Sequence, residues 1–157
     1  QKYIQKSISN IYEWKSNGLN DGLLEINCNN NKLKTLEGLM KCKKIKKIEC
    51  VNNEIETLEE LENCSYLCEL ICSSNKINTL EHFPNCFNLT RINISYCNIN
   101  SLKGLENCSM LSSIIASNTP ITEDECLRLK TQIKRSAKDK HLYILLTKKW
   151  LTLNILI

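Results

Sequence analysis

Histidine is nearly absent from this chain: His82 and His141 are the only two in 157 residues. They lie far apart and outside the repeated strands, so acid–base chemistry and a histidine-bearing metal centre have little to work with. No P-loop, GxGxxG, nucleophile elbow or HExxH occurs, which leaves the common nucleotide-binding and hydrolytic classes without a motif. There is no run of about 18 uncharged apolar residues, so no transmembrane helix is expected. The first residues lack the charged-then-apolar pattern of a leader, and the missing initiator Met points to a fragment. These absences together lead us to expect a non-enzymatic chain with no cofactor and no metal.

What the chain does have is a period. In residues 65–86 the apolar and Asn positions are Leu67, Leu70, Cys72, Asn75, Ile77, Leu80, Phe83 and Cys86. One period upstream stand Ile45, Ile48, Cys50, Asn53, Ile55, Leu58, Leu61 and Cys64. Another step gives the set from Leu23 to Cys42, and a step down gives Leu89 to Cys108. A fifth copy begins with Leu111, Ile114, Ala116, Thr119 and Ile121, then leaves the pattern. Repeats of this length read as stacked coils, none able to bury its apolar face without neighbours.

The unit LxxLxCxxNxIxTLxxLxxC resembles a leucine-rich repeat, and its uniform 22-residue length is similar to the subclass that includes phosphatase regulators and internalins. The resemblance implies an α/β solenoid with a parallel concave β-sheet and turns or 3₁₀ segments on the convex side. It also implies a protein as the partner, held on the concave sheet. The expected organisation is a capping helix over 1–20, five repeats over 21–121 and an α/β cap over 122–157.

Ten cysteines would suit a secreted disulfide scaffold, but their placement speaks against one. Cys28, Cys50 and Cys72 share one repeat column, and Cys42, Cys64, Cys86 and Cys108 share another. Both columns read as buried apolar positions, where Cys acts as a small hydrophobe. Reduced thiols and a cytoplasmic location follow as expectations. The four N-x-S/T sequons, at Asn63, Asn88, Asn93 and Asn107, match what chance gives in a chain so rich in Asn, Ser and Thr.

At the ends, Ile4, Ile8, Ile11 and Trp14 form a helical stripe before the Asn17-Gly18 stop. Thr122 with Glu125 reads as a capping box, followed by Cys126, Leu129 and Ile133 at helical spacing. LYILL at 142–146 reads as an edge strand, and the apolar tail after it as part of the cap or an oligomer contact.

Alternation along each strand turns one column of Glu25, Lys47, Glu69, Arg91 and Ser113 outward, a ladder of opposite charges. The neighbouring outward positions supply the candidate protein-binding residues: Glu49, Val51, Ile71, Ser73, Asn93, Tyr96 and Ile115. Ile71 and Ile115 are the aliphatic pair that folding alone does not explain. Asn31, Asn53 and Asn75 are read as structural, turning in to satisfy loop backbone. Residues 128–150 hold eight Lys or Arg against one acid, and 41–47 hold a second Lys cluster. The basic end offers an alternative function, binding of an anion on nucleic acid or membrane. Nucleic acid is disfavoured, because no aromatic platform interleaves the lysines. A further alternative is a recognition arm of a larger enzyme or receptor.

Overall fold

A computed structural model of the chain describes residues 2–3, 22–133, 141–148 and 151–156. Its backbone winds through one eight-stranded sheet in sequence order. The strands are β1 (Lys2–Tyr3), β2 (Glu25–Asn27), β3 (Lys47–Glu49), β4 (Glu69–Ile71), β5 (Arg91–Asn93), β6 (Ser113–Ile115), β7 (Tyr143–Lys148) and β8 (Leu151–Leu156). From β1 to β7 every pair is parallel, and β2 to β6 keep the register of the repeat without a slip, from Glu25↔Lys47 to Arg91↔Ser113. Each of these five central strands is short because each offers one inward side chain. Ile26, Ile48, Leu70, Ile92 and Ile114 stack as that inward row, all buried. Cys28, Cys50, Cys72, Ile94 and Ala116 form the next buried row.

The chain leaves each strand through a tight turn whose corner residue is left-handed. Asn30, Asn52, Ser74, Tyr96 and Asn118 hold φ between 54° and 58°. Asn tolerates that region better than other residues with a Cβ. Tyr96 is the outlier of the column.

Inside the turn, the buried asparagines join neighbouring coils. The Asn75 amide donates to the carbonyls of Cys50 and Cys72 at 2.9 Å each, and its oxygen accepts from the Ile55 N–H at 3.0 Å. Asn53 does the same one coil earlier, donating to Cys28 and Cys50 and accepting from Leu33. Cys97 takes the next place in that column, where its thiol reaches the Cys72 carbonyl at 3.5 Å. The structural reading of these asparagines therefore holds.

The return limbs are short, with 3₁₀ turns at Glu37–Lys41 and Glu59–Leu61. Thr57 and Thr79 open their limbs by accepting the N–H two residues on, at 3.2 and 3.1 Å. Gly104 has φ 106° and passes so close to the previous coil that a Cβ would sit 1.8 Å from the Leu80 carbonyl oxygen.

At the C-terminal end, α1 (Glu123–Gln132) lies where the next return limb would run. Thr122 Oγ1 accepts the Glu125 N–H at 3.3 Å, the expected N-cap. The Glu125 carboxylate does not reach back to close the capping box. It accepts instead from Ser101 Oγ and the Leu102 N–H, which belong to the coil that α1 must cover, and from Arg128 one turn along the helix. Arg128 also pairs with Glu106 at 2.9 Å. One carboxylate and one guanidinium thus bolt the helix to the last full coil.

Two expectations need revision at the termini. Residues 142–146 are not an edge strand: β7 lies inside the sheet, parallel to β6 on one side and antiparallel to β8 on the other. The edge is the tail itself, whose alternation lets Ile155 and Leu153 register opposite the buried Ile144 and Leu146. Lys2–Tyr3 is a strand, and the rest of the expected N-terminal helix lies outside the described residues.

Candidate protein-binding face

The outward residues of the sheet stand in two rows set by the strand register. The first holds Glu25, Lys47, Glu69, Arg91, Ser113 and Tyr143. Here the expected ladder forms: Lys47 Nζ lies 2.8 Å from Glu49 and 3.3 Å from Glu69, and Arg91 lies 3.4 Å from Glu69. The Glu49 hydrogen bond, more than any other influence, raises the Lys47 pKa. Each such pair contributes about 0.2–1 kcal/mol.

The second row holds Asn27, Glu49, Ile71, Asn93, Ile115 and Leu145. All six are part-exposed, whereas their strand neighbours Ile26, Ile48, Leu70, Ile92, Ile114 and Ile144 are buried. Not every member is free for a partner. Glu49 is held by Lys47 and by the Asn27 amide at 2.7 Å. Asn93 Oδ1 accepts the Ser95 N–H at 3.0 Å and so shapes its own turn. Ile71, Ile115 and Leu145 make an aliphatic row broken only by Asn93.

Val51 and Ser73 stand just past the strands, both part-exposed, and Val51 donates its N–H to Asn29 Oδ1 at 2.6 Å. Tyr96 is 62% exposed at the left-handed corner after β5. Tyr143 and Leu145 escaped the sequence reading. They follow β6 at an interval longer than one repeat, so the period does not reach them, and only the register Ser113↔Tyr143 and Ile115↔Leu145 brings them onto this face. Tyr143 is 54% exposed.

Behind the sheet the thiols are chemically quiet. Burial pushes Cys28 up to about 12 and lifts Cys50 and Cys72 well above the ordinary thiol value. Cys86 and Cys108 likewise rise to about 12 through burial. Such groups carry no thiolate at neutral pH and are poor nucleophiles. Among the described residues no group of three or more His, Cys, Asp or Glu could hold a metal ion.

No protein-family model and no curated protein sequence matches the chain. Solved structures do. An internalin (InlF) of Listeria monocytogenes aligns with a TM-score of 0.60 at 15% identity, over 66% of this chain and 37% of its own. The chain has the leucine-rich-repeat fold. The functional domain of InlJ from Listeria monocytogenes, which includes a cysteine ladder, aligns with a TM-score of 0.58 at 22% identity, over 80% and 25%. A leucine-rich-repeat protein of Leptospira interrogans aligns at 0.55 and 20% identity, over 85% and 41%. The chain spans less than two thirds of the length of each of these three structures. None of its described helices is long and apolar enough to cross a membrane.

Proposed function

We propose that the concave sheet docks another protein, without catalysis, through Ile71, Ile115, Val51, Ser73 and Tyr96, with Glu49 and Asn93 setting the polar frame. Tyr143 and Leu145 extend the surface at its C-terminal end. The observation that carries this reading is the aliphatic row Ile71, Ile115 and Leu145, left part-exposed on a rigid sheet that already has a complete core on its other face. Aromatic residues beside such a row are the type enriched in binding hot spots.

The test is affinity capture from the native cell, read by mass spectrometry, with wild type beside Ile71→Asp and Tyr96→Ala. Each substitution should weaken capture by about 1–2 kcal/mol and leave the unfolding midpoint nearly unchanged. Glu56→Lys, exposed and outside the strands, serves as the silent control. Glu60 does not suit that purpose, because its Oε2 is buried and meets no partner among the described residues. Equal capture by wild type and both concave variants would defeat the reading.

The cytoplasmic location belongs to the same proposal and is supported by nine buried free thiols. The basic C-terminal cap remains the alternative surface; Lys134 and Arg135, its central cations, lie outside the described residues.

A further inference from the structure

A second surface lies on the flank of the sheet, where the loops enter the strands. These loops stack as the strands do. Lys46 accepts the Cys68 N–H at 2.8 Å, Cys68 accepts the Thr90 N–H at 2.8 Å, and the Asn88 amide donates to the Ser65 carbonyl at 2.9 Å. The end of the 3₁₀ turn and the loop entering β3 carry Lys41, Lys43, Lys44 and Lys46, all exposed and none paired with an acid among the described residues. The next two loops carry Tyr66 and Phe87, 55% and 56% exposed. The repeat register sets Lys43, Ser65 and Phe87 in one column and Lys44, Tyr66 and Asn88 in the next. Aromatic rings therefore do stand beside a lysine cluster, contrary to what the linear sequence implies, because a whole repeat of chain separates residues that are neighbours in space.

Four ammonium groups close together in the chain repel one another, and two large rings are left more than half exposed to water. Both features are relieved by one ligand that brings negative charge to the first loop and an apolar side chain to the next two. We propose that this flank binds an acidic protein segment: a short run of Asp or Glu followed closely by an aromatic or large aliphatic residue. Neighbouring coils are about 4.8 Å apart and an extended peptide advances about 3.3 Å per residue. The apolar residue therefore belongs two to three residues after the last carboxylate.

Nucleic acid fits this surface less well. A polynucleotide carries a phosphate at every step, and any length of it running on from the lysines over Tyr66 and Phe87 would meet the neutral Ser65 and Asn88 of those loops. The charge here is confined to one loop, as a partner with localised charge requires.

Fluorescence anisotropy tests the proposal with a labelled peptide of four glutamates followed by glycine, leucine and phenylalanine. Its lysine-for-glutamate counterpart, an oligothymidylate and vesicles containing phosphatidylserine serve as competitors. The acidic peptide should bind at about 50 mM salt and weaken roughly tenfold by about 300 mM. Lys43→Glu with Lys44→Glu should abolish binding. Tyr66→Ser with Phe87→Ser should weaken it several-fold and leave its salt dependence unchanged. Ile71→Asp on the concave sheet should leave it intact, which separates this surface from the one proposed above. No binding at low salt, binding that survives the two charge reversals, or tighter binding of the oligothymidylate or the vesicles would each overturn it. Urea midpoints for every variant exclude unfolding as the cause of any loss.

Discussion

Replacing Asn75 with Ala removes the amide that joins the turns after β3 and β4. Three carbonyls lose a donor, those of Cys50, Cys72 and Ser73. Each keeps another: Cys50 still accepts from Asn53, Cys72 from the Cys97 thiol, and Ser73 from the Asn52 N–H. The Ile55 N–H is worse placed, because the Asn75 oxygen is its acceptor at a fully buried residue. An orphaned buried donor costs about 1–3 kcal/mol, and the weakened acceptors add to it. The expected loss is about 2–4 kcal/mol, a large share of the stability of an ordinary domain. Urea unfolding followed by circular dichroism measures it: with m of about 2 kcal/mol/M, the midpoint should fall by roughly 1–2 M. Asn98→Ala is the matched control, since that exposed side chain bonds to no described residue, and it should shift the midpoint hardly at all. Cys97→Asn should move the other way, by about 1 kcal/mol, because it supplies the missing amide to the same column. A loss at Asn75 no larger than that at Asn98 would refute the idea that this ladder couples the coils.

Other outcomes follow from single features. Tyr96→Asn should raise stability by about 1 kcal/mol, because Asn relieves the left-handed corner at φ 57°, while weakening partner capture, a trade common at functional positions. Gly104→Ala should cost more than about 2 kcal/mol in urea unfolding, since its Cβ collides with backbone rather than with a yielding side chain. Glu125 is held down to about 2, chiefly by its hydrogen bond to Arg128. Its folded value lies below the unfolded one, so its contribution is full above about pH 4.5 and fades as pH falls toward 2. Arg128→Ala should flatten that part of the pH–stability curve. Thiol labelling of the native protein should find Cys68 fast and the nine buried cysteines slow, with all ten reacting once denatured.

The sequence made the solenoid legible because each coil repeats the same solution to the same problem. Leu70, Cys72, Asn75 and Ile77 are constrained by identical neighbours above and below, so the period itself reports their burial. The left-handed corners were hidden by chemistry rather than position: Ser74 and Tyr96 are not residues that advertise positive φ, as Gly or Asn do. The C-terminal end was hard for a different reason. The chain between β6 and β7 outruns the repeat and offers no copy to compare, so LYILL reads equally as an edge or an interior strand. On the functional side, alternation sufficed to turn Ile71 and Ile115 outward. It could not bring Lys44 beside Tyr66, which requires knowing how loops stack between strands.

The Arg128–Glu106 pair ties the cap to the last full coil. The solenoid is therefore extensible everywhere upstream of that coil. Duplicating residues 45–66, whose Asn52 and Asn53 already suit both the corner and the ladder, would insert one more strand between β3 and β4. The sheet would lengthen by about 4.8 Å per added copy, while both ends kept their native neighbours. The length of the sheet thus becomes a quantity that a designer, or a slipping replication fork, can change in whole steps.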